Sequence, residues 1–131
     1  MFCSVTDPMS KWNVDALVAL KGKLKENVRM FELANYLETP AGGFMNRAEA
    51  QSVRAKTEDA QQIEQVIHIL QGKGDKEFAT FCQMLRKSNC HVWARQLELK
   101  AEMFKTSDGM KRLLLVFLLL CAVVASDFFH D

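Results

Sequence analysis

The segment from Gly72 to Leu99, GKGDKEFATFCQMLRKSNCHVWARQLEL, constrains this chain more tightly than any other. Gly72 and Gly74 supply the open backbone of a turn. Asp75 stands where a carboxylate accepts from the unpaired N–H groups of a helix's first turn. Phe78, Phe81, Cys82 and Leu85 follow at i, i+3, i+4 and i+7, which puts all four on one helical face. Ser88 and Asn89 end that run or cap the next, in which Val92, Trp93 and Leu97 share one side. The expectation is a helix-turn-helix unit built on a dense apolar seam.

At 131 residues the chain holds one domain of ordinary size and some extra length. Hydrophobic residues at 49% against 25% charged argue for a globular chain and against disorder. Only two prolines and six glycines punctuate it, so long helices fit and an all-β fold does not. The net charge of +1 gives no overall electrostatic reason to bind nucleic acid or anionic lipid. Cys3, Cys82, Cys90 and Cys121 form no CxxC and no regular spacing, which suits reduced thiols in the cytosol. Cys82, on the seam, reads as a small buried hydrophobe.

Residues 1–11 form a lead-in without the basic start and long apolar core of a signal peptide. Helix one is expected from Trp12 to Val28, with Val14, Leu17, Val18, Leu24 and Val28 inward. Gly22 inside it implies a bend or close packing. Helix two, Phe31 to Glu38, offers Phe31, Leu33, Tyr36 and Leu37, and Thr39-Pro40 stops it. After a loop softened by Gly42-Gly43, Asn46 caps helix three, Arg47 to Ala55. Helix four starts at Thr57-Glu58-Asp59 and buries Ile63, Val66, Ile67 and Leu70.

A Lys73-Gly74-Asp75 turn, a Phe78-x-x-Phe81-Cys82-x-x-Leu85 helix, a polar break and a Trp93-Ala94-x-x-Leu97 helix together resemble the last third of a caspase recruitment domain. The resemblance reaches back to about Trp12 and fades after about Phe104, some two-thirds of the chain. It rests on core pattern more than on invariant residues. It implies an all-α, six-helix antiparallel bundle of the death-fold class over residues 12–105, followed by a linker at 106–112. It also implies a non-enzymatic module that joins other caspase recruitment domains, itself included, in apoptotic or innate immune signalling. Such a module acts as an adaptor, as a decoy, or as the N-terminal piece of a larger caspase or receptor.

No residue pattern competes with that reading by pointing to catalysis. The chain has no Walker loop, GxGxxG, HExxH or caspase-type Gln-Ala-Cys motif. His68, His91 and His130 have no further ligands at zinc spacing, so neither metal nor cofactor is expected.

Charge is more informative. Lys21, Lys23, Lys25 and Arg29 fall within nine residues. The resemblance assigns them to the basic half of a recruitment-domain contact and assigns Glu32 and Glu38 to the acidic half. Complementary faces steer partners together, and one molecule carrying both can stack head to tail. Helix four departs from the family pattern, with Glu58, Asp59 and Glu64 where basic residues are common. Without aromatic interleaving, the lysines do not make a nucleic-acid surface.

The C-terminal region is different in kind. Lys111-Arg112 precede thirteen apolar residues, 113–125, which begin Leu113, Leu114, Leu115, Val116, Phe117, Leu118, Leu119 and Leu120. About twenty such residues span a bilayer, yet this run has no polar face. Three readings fit: a short tail anchor to an intracellular membrane with the domain on the cytoplasmic side; packing against the domain or a partner; or an accident of splicing or gene prediction.

Overall fold

The computed structural model describes residues 8–128, so residues 1–7 of the expected lead-in, together with residues 129–131 and with them His130, lie outside the described residues. Six helices form the fold among the described residues: α1 (Lys11–Asn27), α2 (Met30–Leu33), α3 (Arg47–Arg54), α4 (Asp59–Gln71), α5 (Asp75–Lys87) and α6 (His91–Phe128). Single 3-10 turns follow α2 at Ala34–Tyr36 and again at Thr39–Ala41. The all-α expectation therefore holds. α1 packs on α6 and α4, α5 packs on α6, and α3 packs on α4.

The α5 seam sits in the core as its spacing requires. Phe78, Phe81, Cys82, Met84 and Leu85 are all buried. Phe81 meets Phe44 edge-on, with ring centroids 6.4 Å apart, the arrangement that ring quadrupoles favour. Around them gather Leu17 and Leu24 of α1, Ile63, Val66, Ile67 and Leu70 of α4, and Ala94 and Leu97 of α6. Burial pushes the Cys82 thiol up to about 12, with Glu98 adding to the rise, so it behaves as a hydrophobe at neutral pH.

The break between α5 and α6 is a Schellman turn. Asn89 takes a left-handed backbone, φ 60°, Cys90 N–H donates to the Leu85 carbonyl at 2.7 Å, and Asn89 N–H donates to the Arg86 carbonyl. These bonds occupy carbonyls the helix end would otherwise leave unpaired. Ser88 and Asn89 thus end α5. At the other end of α5, Gly74 takes the cap position and its N–H donates to Glu77 Oε1 at 2.9 Å.

Asp75 does not cap its own helix. Its carboxylate reaches back to the start of α1, where it accepts from the Ser10 N–H at 2.8 Å, from the Ser10 hydroxyl and from the Asn13 amide at 2.8 Å. Burial raises the carboxyl, but these three donors outweigh it and leave the pKa below the ordinary 3.8. The bond set ties α1 to α5 across more than sixty residues of sequence.

Several inward assignments change. Val18 is 59% exposed and Phe31 is 85% exposed, while Met30 fills the inward place beside Leu33. α2 begins one residue earlier than its apolar pattern suggests, and the one-residue shift turns Phe31 outward by roughly 100°. Val92 also faces solvent, leaving Ala94, Leu97 and Ala101 buried and Trp93 half-buried against the core from α6. A methyl carbon placed on Gly22 would have no neighbour within 4 Å, and α1 runs unbroken past it, so close packing does not explain this glycine. Gly43 is the demanding one: a Cβ there would lie 1.9 Å from the Tyr36 carbonyl oxygen. That closeness lets Met45 N–H reach the Leu37 carbonyl at 2.9 Å and bury Met45.

Asn46 caps α3 as expected and shares a capping box with Glu49. α6 continues through the expected linker at 106–112 and the apolar run as one helix of 38 residues. Inside it Asp108 pairs with Arg112 at 3.6 Å, one turn apart. No helix among the described residues is long and apolar enough to cross a membrane. Thirteen residues rising about 1.5 Å each reach ~20 Å, against a hydrocarbon core of about 30 Å.

Two substitutions test this account by urea denaturation. Asp75→Asn weakens the charge-assisted bonds to Ser10 and Asn13 and costs about 1–2 kcal/mol at pH 7. Because the folded pKa lies below the unfolded one, this stabilisation is full above the unfolded value. It is lost as pH falls through the folded value, so wild type and variant converge in acid. Gly22→Ala gains about 0.5–1 kcal/mol, since the exposed helix interior has room for the methyl group.

Candidate functional site

The six charged residues singled out in the sequence do not form two continuous faces. Lys21 and Lys25 lie one helical turn apart on α1 and both point toward α4. There Glu64 meets Lys25 at 2.8 Å and Lys21 at 3.6 Å. The hydrogen bond from Lys25, followed by the charge of Lys21, holds the Glu64 carboxyl below its usual value. Of the three acids that begin and line α4, Glu64 is thus the internal counter-charge of helix one. Glu38 is engaged as well, 3.8 Å from Arg54, whose guanidinium also approaches the Ala34 carbonyl at 3.4 Å. Likewise Glu49 holds Lys73 at 2.9 Å across α3 and the α4–α5 turn.

Lys23, Arg29 and Glu32 remain exposed and outside every ion pair among the described residues. Lys23 is two residues from both paired lysines, so it points away from them. Arg29 sits in the extended link between α1 and α2, just before Met30. This link turns the chain so that Arg29, Phe31 and Glu32 line one shallow cleft with Asn27, Ser88 and Cys90. Burial, then the nearby Glu32 charge, raises the Cys90 thiol above its ordinary pKa.

The cleft places a guanidinium, a carboxylate and a nearly bare phenyl ring side by side. A large aromatic with charged neighbours is the composition of a protein-binding anchor, because the ring gains most from desolvation and the charges choose its partner. Sequence reasoning misses Phe31 as a surface residue because an apolar type in a short helix reads as core. The available signal is Met30, an equally good core residue one position earlier. His68 and His91 are exposed on separate helices, and no group of three His, Cys, Asp or Glu side chains among the described residues is placed to hold a metal.

Comparison of the chain with protein-family models, with curated proteins and with solved structures gives no match in any of the three.

The Glu64 pairing has a direct readout in carboxyl NMR titration. Glu64 titrates below the ordinary 4.5 in the native chain, and Lys25→Met moves its midpoint back up. The pair's contribution is present above the unfolded pKa and disappears as pH falls through the lowered folded value. It is small because the carboxylate is well solvated. A midpoint indifferent to Lys25 would mean that the lysine side chains of α1 are available to a partner after all.

Proposed function

We propose that this chain is a non-enzymatic interaction module of the caspase recruitment type, acting in the cytosol by joining other such domains in apoptotic or innate immune signalling. The family resemblance is carried by Phe78, Phe81, Cys82, Leu85 and Leu97, and the burial of all five in one helical core supports it. The observation that carries the interaction reading is Phe31, 85% exposed between Arg29 and Glu32. An isolated phenyl ring in water is costly to maintain, roughly 25 cal/mol for each Å² left uncovered, and covering it favours association.

The contact surface in this reading is narrower than charge counting suggests. Lys23 and Arg29 supply its basic groups and Glu32 its acidic one. Lys21, Lys25 and Glu38 are occupied internally, the lysines fixing α1 against α4 and Glu38 fixing the α2–α3 loop against α3. A module bearing both signs beside one apolar anchor binds head to tail with copies of itself or with a related domain.

Light scattering on residues 1–109, which keep every core residue and omit the apolar run, tests the proposal. Species should grow with concentration, or on adding a related domain. Phe31→Asp and Arg29→Glu should each raise the dissociation constant about tenfold or more, with thermal melting unchanged because both side chains are exposed. A monomer at every concentration that binds no recruitment domain overturns the reading.

A further inference from the structure

We infer that a second copy of this chain binds along α6, on the side facing away from the bundle. The observation is a stripe, not the apolar run alone. Leu97, Ala94 and Ala101 fix which side of α6 meets the core. At about 100° per residue, Leu99, Met103, Thr106, Met110, Leu113, Phe117, Leu120 and Val124 fall on the opposite side. Their spacing alternates four and three, which is the a/d pattern of a helix–helix seam, and it persists for more than three heptads. Thr106 is its single polar member. The other seven are each exposed in the lone chain, Met103 by 63% and Met110 by 64%. Leu99, Met103, Thr106 and Met110, together with Leu114, line a continuous shallow groove on the outer flank of the helix.

The stripe identifies its occupant. Between Leu99 and Leu114 it is bordered by Glu102 on one side and by Ser107 and Lys111 on the other, so the apolar strip is narrow there. A lipid surface would have to accept those charges at the depth of Met103 and Met110, whereas a facing helix leaves them at the rim in water. From Leu113 onward the residues beside the stripe turn apolar as well, which widens the seam and suits more than one neighbouring helix. Leucine dominates the d positions, as in self-associating coils. A second copy carries the same 3–4 register at the same place, so the two stripes match along about 38 Å of helix. α6 can present that length because it is unbroken from His91 to Phe128. This contact is separate from the Phe31 cleft and does not rest on the function proposed above.

Sedimentation of the full chain in detergent-free buffer tests it. With Phe31→Asp removing the other contact, the full chain should form a discrete species of two or more copies. Met103→Glu/Met110→Glu changes two exposed positions and should raise the dissociation constant at least about tenfold without lowering the melting temperature. Leu115→Gln/Leu118→Gln, off the stripe within the apolar run, should leave the association nearly intact. A monomeric Phe31→Asp chain overturns the inference. So does association that survives the methionine pair, or that both double variants weaken equally, since the run would then cluster without register. Capture of a monomer by phosphatidylcholine–phosphatidylserine vesicles, with no self-association, assigns the run to lipid and likewise overturns it.

Discussion

The fold depends on one constraint: the apolar face of α5 must be covered on every side at once. Phe81 and Leu85 have no exposed surface, and no single neighbouring helix is wide enough to achieve that. α6 packs on α5 with Ala94 and Leu97, α2 also touches α5, Phe44 of the α2–α3 loop meets Phe81 edge-on, and Leu17 and Leu24 of α1 join the same core. Each covering element is then locked by a polar contact that lies outside the seam. Asp75 draws in the start of α1, Arg86 pairs with Glu98 on α6, and Lys87 lies over the Tyr36 ring. The apolar burial provides the bulk of the stabilisation and the polar contacts choose the register. Loss of the seam leaves those charges with nothing to align.

Periodicity makes the larger elements legible, and proximity across the chain stays hidden from it. α4 and α5 are readable because four residues at i, i+3, i+4 and i+7 admit one face only. α2, with a single turn, admits two, and Met30 and Phe31 exchange places on a shift of one residue. Val18 and Val92 read as inward because a valine beside Leu17 or Trp93 looks like core, although adjacent helix positions point about 100° apart. The segment 106–112 reads as a linker from its polarity and Gly109. Yet one exposed glycine costs only about 1 kcal/mol in a helix, too little to break one flanked by strong helix formers and the Asp108–Arg112 pair.

The candidate site is legible in its residue types and illegible in its pairing. Lysines on α1 and acids on α2 and α4 are visible in the sequence, but Lys25 and Glu64 stand 39 residues apart. Only the packing of α1 on α4 reveals that they neutralise each other. Asp75 is the same case at greater range: its position predicts a local cap, and the fold uses it for another helix. A charge on a helix surface has several uses that sequence does not separate, so counting charges overstates the proposed contact surface and passes over the exposed ring of Phe31.

The two proposed surfaces reinforce each other through geometry. Phe31 belongs to the α1–α2 end of the bundle, and the α6 stripe points away from the core beyond Leu99. Copies joined along α6 would hold their Phe31 clefts at a fixed separation, which raises the effective concentration of each cleft for any multivalent partner that spans it. A weak cleft contact then becomes sufficient for assembly, and a weak contact is what one exposed ring with two flanking charges provides. The apolar length of α6 that reads as a liability in a lone chain would become, in an assembled one, the element that sets how densely the proposed contact surfaces are displayed.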